Sequence, residues 1–317
     1  MAATNNVGAG ALPVVDLAPF LATVGDEGGV ARASATGAVR EACREYGFFR
    51  AVNHGVLAEP MARALELLAA FFALPDEEKA KARPVEGSVA PLPAGYARQP
   101  AHSADKNEYL LAFDPQLGFN LYTMSHQDSE ELYGRLTELG VLIQEILNEC
   151  MGLPLGFLKE YNGDRSFYFI AALRYFPATA EENNGVSEHE DGNCITFVLQ
   201  DGVGGLEVLK DGAWIPVDPV EGSIVVNIGD VLTNGKMKSA THRVVRKPAV
   251  HRHSLVFFFN VHGDKWVEPL PEYMEKIGEA PRFRRFLYSE YQQLRMRNKT
   301  HPPSRPEDVV HITHYAI

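Results

Sequence analysis

The sequence predicts an α+β fold in which helical segments precede and follow a β-rich core. Two observations carry this prediction. Helical periodicity dominates the chain up to about residue 165, whereas residues 166–265 consist of short β-type runs separated by Gly, Asp and Asn. Within these runs, "KDGAW" (210–214) has the Asp-Gly signature of a tight hairpin. Because many short strands at this spacing are typical of sandwiches and jelly rolls, we expect the core to be one of these.

The N-terminal region, residues 1–165, is predicted to be mostly helical. Residues 83–107 are rich in Pro, Gly and Ala and are expected to form a loop. Apolar residues recur at helical spacing, with a break at Pro75 in the second segment. Helices are therefore expected at 29–47, 58–82 and 129–153.

The C-terminal region, residues 266–317, is predicted to contain one helix and an irregular tail. The helix is expected at 281–299, where its polar side would carry Arg295. Two roles are open for it: plain packing on the β core, or a lid over a site. Since no stretch of linker composition bounds the β core on either side, we expect one domain over residues 1–317.

Composition restricts the class of partner. The 317 residues carry a formal net charge of −11 at pH 7, which disfavours nucleic acids and anionic membranes as partners. Three widely spaced cysteines without a CxxC motif favour a reducing compartment over a disulfide framework. Neither a signal peptide nor a long apolar segment is evident. We expect a cytoplasmic protein, a monomer, with a small-molecule substrate.

The stretch "SEHEDGNC" (187–194) places four polar residues side by side. On a β-strand, residues two apart point to the same face, so His189 and Asp191 converge while Glu188 and Glu190 face away. Alone, such a pair is more typical of a solvated acidic loop than of a metal site. Two ligands also hold a metal poorly, and a third must come from elsewhere in the core.

The segment "SATHRVVRKPAVHRHSLVFFF" (239–259) supplies the candidates. In its last strand, Arg252 and Ser254 share one face and His251 and His253 share the other. A buried arginine needs an anionic partner, so the first pair predicts a bound carboxylate and leaves both histidines outside. Of the four histidines downstream in the β core, His242 and His262 then stay open as the third metal ligand.

Two imidazoles and one carboxylate are typical of non-haem Fe(II) sites, although zinc accepts the same donors. The Arg-x-Ser pair ten residues after His242 favours iron with a keto-acid cosubstrate. A zinc-dependent hydrolase would leave Arg252 and Ser254 unexplained.

In this order and spacing, His-x-Asp, His and Arg-x-Ser resemble the plant-type Fe(II)/2-oxoglutarate-dependent dioxygenase superfamily, the isopenicillin N synthase-like enzymes. The resemblance extends over nearly the whole chain. It includes "LPVVDL" (12–17), "GFFRAVNHGV" (47–56), "GGLEVLKDGAWIPV" (204–217) and "GSIVVNIGD" (222–230).

The resemblance implies a double-stranded β-helix, or jelly roll, flanked by N-terminal and C-terminal helices. It implies Fe(II) on His189, Asp191 and His242, and 2-oxoglutarate on Arg252 and Ser254. With O2 as oxidant, the enzyme would oxidise a small plant specialised metabolite or hormone, most simply by hydroxylation, and release succinate and CO2.

The sequence departs from the family pattern at "LRYFP" (173–177), where an Asn-Tyr-Tyr-Pro type stretch is common. Phe176 stands where a tyrosine hydroxyl is expected, and Arg174 adds a charge. Arg174 is therefore a candidate for an anionic contact to substrate or cosubstrate, with a structural salt bridge as the alternative. Phe258, on the face of Arg252, is a candidate pocket residue.

Beside the family that the sequence resembles, the segment between Asp230 and His242 looks about three residues short. A shorter connection would draw His242 away from the other two ligands. The alternative function is therefore a catalytically impaired barrel that acts as a small-molecule or protein-binding module.

Overall fold

Helices, a large sheet and a smaller sheet form successive layers, and the candidate site lies between the two sheets. The computed structural model describes residues 11–21, 26–84, 94–113, 126–229, 231–300, 305 and 308–317. Asp230, at the start of the shortened segment, is outside these residues. None of the helices in the described ranges is both long and apolar enough to cross a membrane.

The helices lie mostly before the β core, and the break at Pro75 is confirmed. Their bounds are α1 Ala18–Leu21, α2 Asp26–Glu45, α3 Ala58–Ala73, α4 Asp76–Ala80, α5 His126–Met151, α6 Phe157–Tyr161, α7 Pro271–Ile277 and α8 Tyr288–Thr300.

The strands alternate between the sheets along the chain. Their bounds are β1 Val14–Asp16, β2 Phe48–Val52, β3 Gly95–Arg98, β4 Asn107–Phe113, β5 Phe169–Tyr175, β6 Asn184–His189, β7 Ile195–Gln200, β8 Leu206–Lys210, β9 Ala213–Pro216, β10 Ile224–Ile228, β11 His242–Val245, β12 Arg252–Phe259, β13 Trp266–Val267 and β14 Phe286–Leu287. In the described residues the large sheet has the order β1-β2-β10-β7-β12-β5-β4-β3, and the smaller one β6-β11-β8-β9. Two facing sheets connected in this way form the predicted jelly-roll core.

Strand β12 is central to the large sheet and has two different faces. Leu255, Phe257 and Phe259 are fully buried and point to the helical layer, where Tyr133 of α5 meets Phe257 edge to face at 5.2 Å between ring centroids. Helix α5 approaches the sheet at Gly140, where a Cβ would overlap the Phe259 ring. The outer face of β12 is therefore committed to packing.

The inner face forms a grid, because directly paired residues of neighbouring strands share a face. Arg252 pairs with Tyr175, and Tyr175 pairs with Asn107, which gives a polar row across three strands. Six residues farther along β12, Phe258 pairs with Phe169 and with Thr196. The inner face thus has one polar end and one largely aromatic end.

Two predictions from the sequence were wrong. The expected loop 83–107 contains all of β3 and Asn107, the first residue of β4. Strands β3 and β4 pair with each other and extend the large sheet beyond β5. The C-terminal helix begins at Tyr288 instead of residue 281, because Phe286 and Leu287 pair as a strand with Val267 and Trp266. At both places backbone pairing with another segment decides the structure: it overrides a predicted loop at the first and local helical periodicity at the second.

An ionic cluster fastens α4 to the outer face of β3–β5. Glu108 is fully buried, and its carboxylate accepts hydrogen bonds from Lys79 Nζ (3.2 Å) and Tyr96 Oη (2.7 Å). Arg98 and Arg174 also pair with it, at 3.0 and 2.5 Å. Burial, together with the hydrogen bond to Glu108, raises the pKa of Tyr96 to about 12, so its hydroxyl remains a donor.

Replacing Glu108 with Gln should destabilise the fold by about 3–5 kcal/mol, because Lys79 and Arg174 would then lack their buried carboxylate. Urea unfolding measures this free energy. The control is Glu78→Gln, which removes only an exposed pair with Lys81 and should change stability little. Equal effects of the two substitutions would contradict the structural role of the cluster.

Candidate metal centre

Three candidate ligands converge between the sheets. His189 is the last residue of β6, and Asp191 lies two residues farther along the chain. His242 is the first residue of β11 and pairs directly with His189. One donor atom from each lies within 4.8 Å of the others. The Nε2 atoms of His189 and His242 are 3.6 and 3.9 Å from Asp191 Oδ1. Two imidazole nitrogens and one carboxylate oxygen therefore face a common point.

Both histidines are oriented in the same manner. Nδ1 of His189 lies 2.8 Å from the Ser187 carbonyl, and Nδ1 of His242 lies 3.1 Å from the Ala240 carbonyl. A carbonyl can only accept a hydrogen bond, so each Nδ1 carries the proton and each Nε2 presents its lone pair to a metal. In addition, Phe48 packs edge to face on His242 at 5.1 Å.

Asp191 is held by neutral hydrogen-bond donors. Its Oδ2 accepts from Thr196 Oγ1 at 2.7 Å and from Asn227 Nδ2 at 2.8 Å, while Oδ1 faces the imidazoles. Strands β7 and β10, which carry these donors, pair with each other in the large sheet. This outer shell fixes the carboxylate before a metal arrives.

The short connection before His242 does not displace this residue. A 3₁₀ turn at Val231–Thr233 and a tight turn with Asn234 at a φ of 56° bring the chain back within few residues. Asn234 is fully buried, and its Oδ1 and Nδ2 bond to Arg282 N and Ala280 O. The geometric basis for an impaired site is therefore missing.

A cavity of about 180 Å³, partly open to solvent, contains both the triad and the predicted carboxylate site. Arg252 is 2% exposed, and its Nη2 donates to Gln200 Oε1 at 3.0 Å. Its Nε and Nη1 have no hydrogen-bond partner among the described residues. A buried guanidinium with vacant donors is costly unless an anion binds there.

Tyr175 is a site residue that the sequence reasoning missed. The Arg252 guanidinium lies over its ring at 4.7 Å, and Ser254 Oγ is 3.4 Å from its hydroxyl. The sequence reasoning placed the expected tyrosine hydroxyl at Phe176, whereas in the structure it is Tyr175 that pairs with Arg252 and faces the cavity. Strand parity alone puts Tyr175 and Phe176 on opposite faces but does not say which face is the inner one.

Arg174 and Phe176 do not line the cavity, so their proposed contacts with substrate or cosubstrate need correction. Arg174 lies on the outer face of β5, where it pairs with Glu108 at 2.5 Å and donates to the Phe72 carbonyl. The Phe176 ring packs against the guanidinium groups of Arg98 and Arg174, at 5.5 and 5.4 Å. Arg174 is thus part of the ionic cluster and Phe176 packs on it, which agrees with the structural salt bridge given as the alternative role of Arg174.

Phe258 does line the cavity, at its aromatic end. Its ring stacks on Phe169 at 4.5 Å between centroids, and Leu111 and Met296 belong to the same apolar cluster. The neighbouring Thr196 donates to Asp191, so the triad lies beside this apolar wall.

Helix α8 covers the cavity from the C-terminal side. Tyr288, Tyr291, Gln292, Arg295 and Met296 line it, with the spacing of one helical face. Arg295 was expected on the polar outer side, but it stands four residues after Tyr291 and therefore shares the cavity-facing side of the helix. Tyr291 packs on Gly192, beside Asp191, where a Cβ would overlap its ring.

The other titratable candidates have structural partners. His253 pairs with Asp201 at 3.4 Å on the outer face of β12, and His54 fixes a turn through the Gly222 carbonyl and the Val56 amide. Burial raises the pKa of Cys194 to about 12, which makes its thiol a poor metal ligand despite its proximity to Asp191.

Replacing Asn227 with Ala should raise the dissociation constant for a divalent metal about 10–100-fold, because Asp191 loses a hydrogen bond that holds it in place. Calorimetric titration with Co(II) measures the constant. Asn183→Ala, at an exposed position before β6, is the control. Unchanged affinity in Asn227→Ala would show that this bond does not organise the site.

Residues 169–261 match the 2OG-Fe(II) oxygenase superfamily, and residues 12–136 match the non-haem dioxygenase in morphine synthesis N-terminal family. Gibberellin 20 oxidase 2 of Oryza sativa subsp. indica is 36% identical over 279 residues, 82% of this chain and 70% of the relative. 1-Aminocyclopropane-1-carboxylate oxidase 1 of Malus domestica is 30% identical over 295 residues, 89% of this chain and 90% of the relative.

Among solved structures, JOX2 in complex with 2OG, Fe and JA superposes with a TM-score of 0.79 at 26% identity, covering 97% of this chain and 89% of that one. The dioxygenase for auxin oxidation in rice superposes with a TM-score of 0.74 at 26% identity, and the match covers 96% of this chain and 100% of that one. Together with the triad and the buried Arg252, these matches identify the chain as a member of the 2OG-Fe(II) oxygenase superfamily.

Proposed function

We propose that this protein, an Fe(II)- and 2-oxoglutarate-dependent dioxygenase, hydroxylates a small hormone or specialised metabolite. One observation carries the proposal: a buried, unsatisfied guanidinium and a preorganised two-histidine, one-carboxylate triad line the same cavity. The relatives are named for oxidation of gibberellin, flavanone and 1-aminocyclopropane-1-carboxylate, all small molecules. This similarity supports a substrate of comparable size.

The residues present fit both groups. His189, Asp191 and His242 would hold Fe(II), for which two imidazoles and a carboxylate are suitable donors. Arg252 and Ser254, with the Tyr175 hydroxyl beside them, would bind the distal carboxylate of 2-oxoglutarate, which satisfies the vacant Nε and Nη1 donors. Bound together, the two groups supply the oxidising chemistry, in which O2 and 2-oxoglutarate give succinate, CO2 and an oxidised substrate.

The remaining cavity residues orient the substrate and exclude water. Phe169, Phe258, Leu111 and Met296 give it an apolar wall beside the triad. Helix α8 also lines the cavity, so a substrate on this wall would be shielded while it reacts. We further propose a cytoplasmic, single-domain monomer. The net charge of −11 supports the proposal that it binds neither nucleic acid nor anionic membrane.

The test is succinate release. Purified protein with Fe(II), ascorbate, O2 and 2-oxoglutarate should form succinate slowly without substrate and faster with one. Metal chelation or omission of 2-oxoglutarate should abolish it. No succinate under any of these conditions would contradict the proposal.

Replacing Arg252 with Gln should raise the Michaelis constant for 2-oxoglutarate about 10–100-fold, since a charge-assisted hydrogen-bond pair is lost. Succinate formation against 2-oxoglutarate concentration measures it. Arg174→Gln is the matched control, because Arg174 lies on the opposite face of the same strand pair. A similar rise in both variants would return Arg174 to the cosubstrate site and contradict the assignment.

Replacing Gly192 with Ala should increase succinate formation that is not coupled to substrate oxidation, because the added methyl group displaces Tyr291 and with it α8. The ratio of succinate to oxidised product, or the substrate-free rate, measures the effect. Gly134→Ala on α5, where a Cβ has open space, is the control. An unchanged ratio in Gly192→Ala would show that α8 does not shield the site.

A further inference from the structure

The strand that carries His189 is irregular just before this ligand. Ser187 and Glu188 of β6 lie opposite a single residue of β11, between the partners of Val244 and His242. Two residues against one is the arrangement of a β-bulge, which bends a strand and changes the direction of the side chains beside it. The direction of His189 therefore depends on how this bulge is held.

Ser187, in the bulge, has all three of its polar groups bonded outside the strand ladder. Its main-chain N–H and its hydroxyl both donate to Asp105 Oδ1, at 2.8 and 2.6 Å. Its carbonyl accepts the Nδ1 proton of His189, with 2.8 Å between the two heavy atoms. A single residue thus connects the Asp105 carboxylate to a metal ligand.

Asp105 lies two residues before β4 and lines the cavity, and the proposed reaction gives its charge no role. A third hydrogen bond to Oδ1 comes from Asn184 Nδ2 at 3.2 Å, so the hydrogen-bond donors that reach the carboxylate from the described residues are neutral. Hydrogen bonds to an ionised acceptor are about twice as strong as those between neutral groups. The carboxylate is therefore a strong anchor for the bulge.

The loop before β4 is attached to β6 at two further points. Asn184 Nδ2 donates to the Ala104 carbonyl at 2.9 Å, and Asn107 Nδ2 donates to the Gly185 carbonyl at 2.8 Å. The acceptor in each case is a main-chain carbonyl, so neither attachment needs the Asp105 carboxylate. Removal of that carboxylate should consequently leave the loop in place and release the bulge.

We propose that Asp105 is a positioning residue of the metal centre, which holds the bulge at Ser187 and thereby aims His189 at the metal. Without the carboxylate, the Ser187 carbonyl would no longer be fixed for Nδ1, and His189 would present Nε2 in more than one direction. His242 would keep its orientation through the Ala240 carbonyl. A ligand that must be ordered on binding lowers the metal affinity. The inference rests on the proposed function, because it concerns the same metal centre.

Metal affinity tests the positioning. Replacing Asp105 with Ala should raise the dissociation constant of the full chain for Co(II) about tenfold or more, as loss of an outer-shell partner does elsewhere. Asp105→Asn keeps the shape and one oxygen acceptor but loses the charge, and should give a smaller rise. Calorimetric titration measures both constants. Wild-type affinity in both variants would overturn the inference.

Asp16→Ala is the matched control. Asp16 Oδ1 likewise accepts hydrogen bonds from a main-chain N–H, that of Ala18, and from a side chain, that of Asn53. It lies at an exposed position and is not part of the cavity lining. The Co(II) dissociation constant should stay at the wild-type value in this variant. Equal rises in Asp16→Ala and Asp105→Ala would mean that the loss of affinity comes from a general loosening of the fold, and would overturn the inference.

The visible absorption spectrum of the Co(II)-saturated protein distinguishes positioning from a purely structural role, because it reports which donors surround the metal. His189→Ala, in which the imidazole is absent, gives the reference spectrum. The spectrum of Asp105→Ala should shift toward this reference, whereas that of Asp16→Ala should match the wild type. A wild-type spectrum in Asp105→Ala would show that the carboxylate only stabilises the loop, and the inference would fall.

Co(II) binding and succinate formation together separate this inference from the proposed function. Co(II) binding that is equally tight in the wild-type protein and Asp105→Ala would count against the positioning role alone. A weaker Co(II) site in Asp105→Ala, in a wild-type protein that forms no succinate, would support the positioning role and count against the dioxygenase assignment alone.

Discussion

The alternation of side chains along β12 is the constraint on which the rest of the structure depends. Leu255, Phe257 and Phe259 anchor the helical layer, whereas Arg252, Ser254 and Phe258 line the cavity. Because the strand lies between β5 and β7, each inward residue has a partner in the same row of the grid. A shift by one residue would exchange the two faces, placing a guanidinium in the apolar core and leucine in the site. Register and function are therefore fixed together.

The metal ligands depend on the same sheet through hydrogen bonds. His189 and His242 pair on neighbouring strands of the smaller sheet, whereas the Asp191 carboxylate is positioned by Thr196 and Asn227 of the large sheet. The triad thus joins the two layers, and the separation of the sheets decides whether its three donors meet. Neutral donors suit this purpose, since they orient the carboxylate and leave its negative charge available to the metal.

Much of this arrangement could be predicted from the sequence, because strand parity is local. Strand parity placed Arg252 and Ser254 on one face of the strand and His251 and His253 on the opposite face. Applied to "LRYFP", the same rule puts Tyr175 on the face opposite Arg174, but which face lines the cavity is decided by the pairing of Tyr175 with Arg252. Other features had no local signal. Strands β3 and β4 join the large sheet through the pairing of β4 with β5, which is far along the chain, and the start of α8 depends on the pairing of Phe286 with Val267.

The vacant donors of Arg252 also link cosubstrate supply to the lifetime of the fold. Without an anion, the chain retains a buried charge that its own residues only partly solvate, so the empty protein carries a destabilising element at its centre. A ligand that binds only the folded state adds stability in proportion to the logarithm of its concentration. The resistance of this protein to heat and proteolysis should consequently follow the concentration of the keto acid, so that its persistence reports on the metabolic state around it.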